Sequence, residues 1–352
     1  MQTFRNLDDH LGLVPAQSAT ALAEASAGRG REEAFKRQNP QILEGLMEVA
    51  LIQSSASSNA IERITAAPGR VTELVQDKTA PKDRSEEEIA GYRKVLETVH
   101  ASAEHIPLTS SVVLQFHRDI YAFSPVPGGR LKNAQNEVAR FDPSGNKVGV
   151  IFEGTPPSGT PRAMDELHER YADAMREGTH APLLLAGSYV FDFLMIHPFN
   201  DGNGRMSRLL TLLLLYQCGH EVGRFISLEK LIEESKDTYY ESLEKSTAGW
   251  DRSEHNIWPW LNYFLGILNA AYKEFEARAG DLMSGRGSKT LRIKRYVRSS
   301  TSEIFTFDEV QKALPDISAD HIRSVLRNLR DEGSVESPGR GRKEWRRLTT
   351  EL

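Results

Sequence analysis

Two long apolar segments of the chain are separated by twelve mostly polar residues. The segments, 181–196 and 209–216, are apolar at helical period, and we predict that both are largely buried helices. The stretch between them, 197–208, reads HPFNDGNGRMSR and would be a loop and helix start held inside a packed core. Because a buried loop leaves backbone polar groups without partners, we expect a ligand to satisfy them.

The chemistry of this loop indicates a phosphate-bearing ligand. Gly202-Asn203-Gly204 can adopt positive φ and turn successive N–H groups toward one anion, at the positive end of the helix that begins near Gly204. Arg205 and Arg208 can act as forked phosphate donors. Asp201 is a ligand of the kind that Mg²⁺ uses. His197 titrates near neutrality and could accept a proton from an incoming hydroxyl.

Each of these residues alone has an ordinary structural explanation. A single His beside an apolar helix is more often a core residue, a Gly-Asn-Gly is most often a turn, and charged residues in a first helical turn are commonly solvated. An ordinary connection between two helices needs only a few residues and no arginine pair. The uninterrupted combination therefore favours a functional site.

The stretch resembles the signature of the Fic family, His-x-Phe-x-Asp/Glu-Gly-Asn-Gly-Arg-x-x-Arg, and matches every fixed position. The resemblance implies a mainly α-helical fold and transfer of AMP from ATP to a hydroxyl side chain of a target protein. The related Doc kinases carry a lysine-bearing variant of the glycine region. This chain does not, which favours nucleotidyl over phosphoryl transfer.

The resemblance also implies a role for each residue of the signature. His197 would be the general base and Asp201 the Mg²⁺ ligand. Gly202, Asn203 and Gly204 would form the phosphate cradle. Arg205 and Arg208 would hold the β- and γ-phosphates of ATP.

An N-terminal segment resembles the inhibitory helix of some family members, which carry Ser/Thr-x-x-x-Glu followed by Gly or Asn. Ser58 and Glu62 match, whereas Arg63 stands at the Gly/Asn position. We predict a break at 54–58 and a short new helix within 57–64. The carboxylate of Glu62 would pair with Arg208 and exclude the γ-phosphate. From local sequence alone, Glu62 is a solvated or capping glutamate.

A predicted hairpin resembles the family's flap, whose edge binds the target by main-chain pairing. Its strands are expected at 131–138 and 147–152, around the turn 142–145. Arg130 and Gln135 match the family's Arg-x-x-x-x-Gln. The resemblance assigns target docking to Leu131, Gln135 and Val138, and places Val138 over the nucleotide. Without the signature, a plain surface hairpin is the simpler interpretation.

Tyr239 and Tyr240 resemble a tyrosine pair near the family's adenine pocket, which makes them candidate nucleotide ligands. An aromatic pair at this spacing is more often part of a core. An Asn that some members carry seven residues later is Thr247 here, so other nucleotides remain open.

Composition excludes several classes of protein. The chain has 352 residues, a net charge of −5 and one cysteine, Cys218, so it can form no intrachain disulfide. The N-terminal residues lack the apolar region of a secretory signal, and no segment is long and apolar enough to span a bilayer. We predict a cytoplasmic protein without a membrane partner, and a homodimer is possible.

A Gly-rich linker is the clearest boundary in the chain, and the family resemblance and the order of predicted elements imply the parts on either side of it. We predict an N-terminal helical region at 1–105, a catalytic domain at 106–280, a Gly-rich linker at 281–288 and a winged helix-turn-helix domain at 289–352. Within the first part, 1–36 is expected to pack little and 66–83 to form a surface loop.

The C-terminal region is basic, since 15 Lys/Arg against 11 Asp/Glu in 281–352 give +4. The pattern predicts helices at 289–299, 307–314 and 318–332, then a hairpin of 334–336 and 345–348. Such a module binds either DNA or a protein partner. The basic residues that could contact DNA lie on the third helix and the wing: Arg323, Arg327, Arg330, Arg340, Arg342, Lys343, Arg346 and Arg347.

The favoured function is Mg²⁺-dependent AMP transfer to a Ser, Thr or Tyr of a target protein, restrained by Glu62, with self-modification possible. Two alternatives stay open. The same site could remove AMP from modified targets, or the core could sense a nucleotide for a DNA-binding regulator.

Overall fold

The computed structural model describes residues 1–38, 40–141, 147–283, 286–299, 304–331, 333–336 and 344–347, and in these ranges the fold is mainly α, as predicted. The helices are α1 (Gln2–Arg5), α2 (Leu7–Leu11), α3 (Ala16–Gln38), α4 (Pro40–Ile61), α5 (Pro68–Val75), α6 (Arg84–Ser102), α7 (Ser110–Ile120), α8 (Thr160–Glu177), α9 (Pro182–Ile196), α10 (Asn203–Gln217), α11 (Leu228–Glu234), α12 (Lys236–Thr247), α13 (Trp258–Met283), α14 (Arg286–Ser299), α15 (Phe307–Ala313) and α16 (Ala319–Asp331). The strands are β1 (Glu137–Phe141), β2 (Lys147–Glu153), β3 (Ile304–Thr306), β4 (Val335–Glu336) and β5 (Glu344–Arg347).

Helices α9 and α10 form the centre of the main core. Nearly every side chain of α9 is buried, which explains why its sequence is apolar without an amphipathic pattern. Helix α10 packs beside it, and α4, α6 and α13 pack around the pair. The loop 197–202 therefore begins and ends on two helices that the core holds rigidly.

The N-terminal residues pack more than predicted. Instead of short helices with little to pack against, residues 16–38 form one long helix, α3, which lies along α13. Met1, Phe4 and Leu11 are buried in the main core. The expectation was wrong because the small Ala residues of α3 allow close helix contact without a strong apolar stripe.

The predicted break at 54–58 is also wrong, because α4 runs unbroken from Pro40 to Ile61. Two of its serines have tertiary partners: Ser54 donates to Glu229, and Ser58 accepts from Arg208. A serine that is satisfied by another helix does not compete for its own backbone. The segment 66–83 is not simply a loop either, since α5 buries Val71, Leu74 and Val75.

The two strands of the predicted hairpin form an antiparallel pair in which Glu137 lies opposite Glu153 and Val138 opposite Phe152. The first strand begins at 137, and residues 131–136 are not in a strand, contrary to the prediction. The side chains of Lys132 and Asn136 in this segment bond to the end of α9 and the loop after it instead. The predicted turn at 142–145 lies outside the described residues.

The predicted linker is shorter than expected, because α13 includes 281–283 and α14 begins at 286. The C-terminal elements have an apolar core of their own, around Ile293, Phe305 and Leu326. Their sheet has the order β3-β5-β4, and β3 was not predicted. The helices lie near their predicted positions, but the winged-helix assignment stays a prediction, and Arg340, Arg342 and Lys343 lie outside the described residues.

Among the described helices, none combines the length and the apolar character that crossing a bilayer requires.

Candidate functional site

His197 ends helix α9 in the left-handed conformation, with φ of 52°. This region is uncommon for residues other than glycine, and such backbone strain is often found at functional sites. The Nδ1 atom lies 3.2 Å from the carbonyl of Leu194, so it must carry the proton and donate. The other nitrogen, Nε2, is then left with its lone pair. Burial lowers the pKa of His197 to about 4, so the ring is neutral at pH 7.

The loop after His197 is held by its own polar side chains. Asn203 accepts from the backbone N–H of Phe199 at 2.9 Å and donates to its carbonyl at 2.7 Å. Gly202 takes φ of 82° and is the residue before α10. Positive φ was predicted to be available to both Gly202 and Gly204, but only Gly202 adopts it, and Gly204 is helical. The first residues of α10 therefore line the site, and their amides are the candidate anion-binding groups.

The carboxylate of Glu62 already lies at this position. Its Oε1 atom is 2.9 Å from Nη2 of Arg208 and would be 2.1 Å from a Cβ added to Gly204. Gly204 thus leaves room for the carboxylate of Glu62 and does not use positive φ. Arg208 also donates to the hydroxyl and the carbonyl of Ser58, at 2.8 and 2.7 Å. The predicted pairing of Glu62 with Arg208 is present, just after the end of α4 and not on a separate helix, whereas the bonds of Arg208 to Ser58 were not predicted.

Arg63 follows Glu62 with φ of 64°. This is the left-handed conformation that Gly and Asn adopt at low cost, which accounts physically for their place in the family pattern.

Arg205 does not lie where the sequence predicted. Its guanidinium is fully buried, 2.6 Å from a carboxylate oxygen of Glu88 and 2.8 Å from the hydroxyl of Tyr121. This side chain ties α10 to α6 and α7 and does not reach the cleft as a phosphate ligand. The prediction failed because side-chain spacing on a helix cannot reveal a partner from another helix.

Asp201 lies at the rim of the site with 60% of its side chain exposed, and its Oδ1 accepts from the N–H of Gly202 at 2.7 Å. Its Oδ2 lies 3.8 Å from Arg84 and 3.9 Å from Arg205, so neither guanidinium makes a short hydrogen bond to it. Mg²⁺ in nucleotide sites commonly takes only one or two carboxylates, together with phosphates and waters. Asp201 fits that pattern.

The loop after α9 lines a cleft of about 820 Å³, which is large enough for a nucleotide. His197, Asp201 and the segment 202–204 form one wall. Val138 of the hairpin and the pair Tyr239 and Tyr240 of α12 form the opposite side. Tyr239 is largely buried against Trp260, with ring centroids 5.8 Å apart, so it supports the wall, while Tyr240 is half-buried.

The structure places the remaining predicted residues at the base of the hairpin. Gln135 is exposed and donates to the carbonyl of Gly154 at 2.7 Å. Leu131 is half-buried against the core. Thr247 bonds within its own helix, to the carbonyl of Leu243.

Three polar residues at this site were not predicted. His117 stacks on Phe199 with ring centroids 3.7 Å apart, accepts from the N–H of Gly129 and so must donate from Nε2 to the carbonyl of Asp201. Lys132 and Asn136 contact the loop from the other side. Their positions in the sequence carry no local signal, because their partners lie more than 60 residues away.

The fold and the cleft thus define a helical protein with a nucleotide-sized site at the N-terminus of a buried helix. Comparison with known families agrees: residues 107–215 match the Fic/DOC family. The chain therefore contains a Fic/DOC domain.

Among curated proteins, the chain is similar to "Protein adenylyltransferase Fic" of Drosophila willistoni, with 26% identity over 205 residues, which is 56% of this chain and 38% of that protein. It is also 25% identical to "Protein adenylyltransferase fic-1" of Caenorhabditis briggsae, over 57% of this chain and 37% of that protein. The matched region thus spans less than two fifths of either relative.

Among solved structures, a Fic family protein from Desulfovibrio desulfuricans G20 has a TM-score of 0.62 at 20% identity, covering 96% of this chain and 97% of that one. Fic-1 (residues 134–508) from C. elegans has a TM-score of 0.56 at 20% identity, over 76% of this chain and 74% of that one. At these identities the likeness shows the fold.

Proposed function

We propose that this protein transfers AMP from ATP to a Ser, Thr or Tyr hydroxyl of a target protein. The observation that carries the proposal is the geometry of His197, whose Nε2 lone pair is free beside the amides of α10. The names of the curated relatives, of which this chain matches less than two fifths, support the same reaction.

In the proposed step, the target hydroxyl gives its proton to Nε2 of His197 while its oxygen attacks the α-phosphorus. A new P–O bond forms, the bond between the α-phosphorus and the bridging oxygen breaks, and pyrophosphate leaves. The amides of Asn203 and Gly204, which begin α10, would stabilise negative charge on the phosphate, whereas the N–H of Gly202 already donates to Asp201. A magnesium ion at Asp201 would neutralise phosphate charge. Arg208 would bind the γ-phosphate, without help from Arg205.

The contact of Glu62 with Arg208 supports self-inhibition. The carboxylate pairs with the guanidinium and lies against Gly204, where an anionic phosphate would bind. Two anions cannot share this position without strong repulsion. ATP then binds either weakly or in an unproductive orientation until Glu62 leaves.

The test is the intact mass of Glu62→Gly protein after incubation with ATP and Mg²⁺, alone and with candidate target proteins. An increase by one AMP group, larger than in the wild type, supports both the reaction and the restraint. The double variant Glu62→Gly/His197→Ala should gain none. Glu44→Gly, an exposed site on α4 away from the cleft, is the matched control and should behave as wild type. Equal labelling with and without His197 would refute the mechanism.

Removal of AMP from a modified target is a second activity of the same cleft. Glu62 is 33% exposed and could orient a water toward a bound AMP-protein. The corresponding assay measures release of AMP from modified protein, and Glu62→Gly should abolish release while it increases transfer.

A nucleotide-sensing DNA regulator is a third candidate, favoured only by the basic residues of α16. Two of these already pair locally, Arg323 with Asp320 at 3.1 Å and Arg330 with Asp331 at 2.8 Å, which weakens the case. Gel shifts of the whole protein at several salt concentrations would test it. A cytoplasmic location and a homodimer stay predictions.

A further inference from the structure

The loop that carries His197 is held by a short segment that precedes the hairpin. We call residues 131–136 the arm. Two arm residues, Lys132 and Asn136, bind the four consecutive backbone carbonyls of residues 196–199, at the end of α9 and the start of the loop. Lys132 donates from Nζ to the carbonyl of residue 196 at 3.0 Å and from its backbone N–H to that of residue 198 at 2.8 Å. Asn136 donates from Nδ2 to the carbonyls of residues 197 and 199, at 3.1 and 2.7 Å.

The two arm residues also bind each other. Nζ of Lys132 donates to Oδ1 of Asn136 at 2.7 Å, which orients the amide so that its NH₂ group faces the loop. The side chain of Lys132 is almost fully buried, and burial lowers its pKa to about 8. Burying an ammonium among neutral oxygens is costly, and a group that only filled space would not need the charge.

The carbonyl of residue 196 lies in the last turn of α9 and has no partner within that helix, and the carbonyls of residues 197–199 follow it along the chain. A positive charge there is favourable, since helix C-termini carry partial negative charge. The same ammonium lies near the imidazole of His197 and contributes to its lowered pKa. The arm thus caps the C-terminus of α9 next to His197, whose left-handed backbone conformation orients the imidazole.

The packing around this contact leaves no spare room. A Cβ added to Gly154 would lie 2.6 Å from Oδ1 of Asn136, 2.7 Å from Nζ of Lys132 and 2.9 Å from Cβ of His197. The backbone N–H of Thr155 also donates to the carbonyl of residue 196, at 3.1 Å. The start and the end of the hairpin therefore meet at the loop.

We propose that Lys132 and Asn136 are positioning residues for His197, which keep its Nε2 atom directed at the reacting hydroxyl through the carbonyls of the loop. The inference rests on the proposed AMP transfer. Neither residue lines the cleft among its described walls, so they act on the orientation of the base and not on nucleotide binding.

The experiment compares arm variants in the activated Glu62→Gly background. Lys132→Met removes the ammonium and keeps the stem, Asn136→Leu removes the amide, and Lys132→Arg restores a positive donor. Because misplacing a reacting group by about 1 Å can cost about 10²-fold in rate, we expect kcat to fall by about 10²-fold in Lys132→Met. KM for ATP should stay within about twofold, and Lys132→Arg should recover at least about tenfold of the loss.

Matched controls remove the same chemical groups elsewhere. Lys94→Met removes an exposed ammonium that pairs with Asp119, and Asn269→Leu removes an amide that donates to the carbonyl of Ala21. Both should keep the kcat of the parent. Thermal unfolding of every variant shows whether it is folded.

A second measurement does not depend on activity. Histidine NMR of the whole protein, with His197→Gln to assign the signal, gives the titration of His197. Removing a nearby positive charge in Lys132→Met should raise the pKa of His197, and Lys94→Met should not change it.

The outcomes separate the two proposals. If the Glu62→Gly parent transfers no AMP, the proposed function fails, and an unchanged His197 titration in Lys132→Met overturns the positioning role as well. If the parent is active but Lys132→Met keeps its kcat, the positioning role is wrong. The positioning role is also overturned if Lys132→Arg does not recover the lost kcat. The same holds if KM for ATP rises in parallel, because both results indicate a general structural defect.

Discussion

Arg205 and Glu88 form an ion pair of 2.6 Å in which neither side chain is more than 1% exposed. The pair joins α10, which begins at the site, to α6. Arg84 also bonds to Glu88, at 2.7 Å, and Tyr121 bonds to Arg205. Arg205 therefore connects helices inside the core, whereas Arg208, three residues later in the signature stretch, pairs with Glu62 at the cleft.

Replacing Glu88 by Ala should destabilise the protein strongly, because it leaves the guanidinium of Arg205 buried and without its charge partner. Losses from breaking a buried pair are about 3–5 kcal/mol. Denaturant unfolding measures the change. Asp173→Ala, which removes an exposed partner of Arg176, should cost less than about 1 kcal/mol. Similar small losses for both variants would contradict a structural role for the buried pair.

Arg208 should be needed for activity even though it also holds Glu62. In the Glu62→Gly background, Arg208→Met should raise KM for ATP by about 10- to 100-fold, since a hydrogen bond to a charged group contributes about 1.5–3 kcal/mol. In the wild-type background, Arg208→Met should not activate the enzyme, although it releases Glu62. Steady-state kinetics with ATP test both statements, and activation by Arg208→Met alone would show that the γ-phosphate does not use this residue.

The rate of transfer should be insensitive to pH around neutrality and fall in acid. Burial lowers the pKa of His197 to about 4, so the base is neutral and active above that value and is protonated below it. We expect the Glu62→Gly rate to drop about tenfold per pH unit below pH 4, where the fold permits measurement. A midpoint near 6.5 would indicate that the bound complex does not retain the burial seen here.

Gly202 should not tolerate a side chain, because its φ of 82° is left-handed and an added Cβ would lie 3.1 Å from the hydroxyl of Tyr121. Gly202→Ala should cost about 1–2 kcal/mol in stability and should also reduce transfer. Gly178, which ends α8 with φ of 67° and has open space around it, is the matched control. Gly178→Ala should lose similar stability but keep its activity. Equal activities of the two variants would refute a role for the loop conformation.

The free energy of unfolding should decrease as the pH falls from about 6.5 toward 4. Burial lowers the pKa of several histidines, so the unfolded chain binds protons in this range and the folded protein does not. Each such group removes at most about 1.4 kcal/mol per pH unit. Glu32 acts in the opposite direction, because its pKa is raised to about 7 by burial. The histidines with lowered pKa are His10, His100, His117, His168, His197, His220 and His255.

Denaturant unfolding at pH 7, 6 and 5 measures this dependence. His168→Phe replaces one buried ring with an apolar one, and the slope against pH should become smaller by the contribution of one group. A stability that is flat or rising toward pH 5 would contradict neutral buried histidines.

Local sequence was sufficient to predict the parts of the protein that depend on neighbours along the chain. The apolar segments around 197–208 predicted two buried helices, and the polar stretch between them predicted a loop with a base, an anion site and a carboxylate. These features follow from residues within one or two helical turns. The contact of Glu62 with Arg208 was also anticipated, but only through the family resemblance.

The direction of the charged side chains near the cleft depends on how the helices pack against one another. Arg205 and Arg208 are three residues apart on one helix, yet the first turns to Glu88 in the core and the second to Glu62 at the cleft. Helix α4 continues through its serines because two of them have partners on other helices. Lys132 likewise binds the loop only because the fold brings the two segments together. The physical reason is that burial makes an unpaired polar group costly, so its direction is chosen by the partner that the fold brings near it, and local sequence does not contain that information.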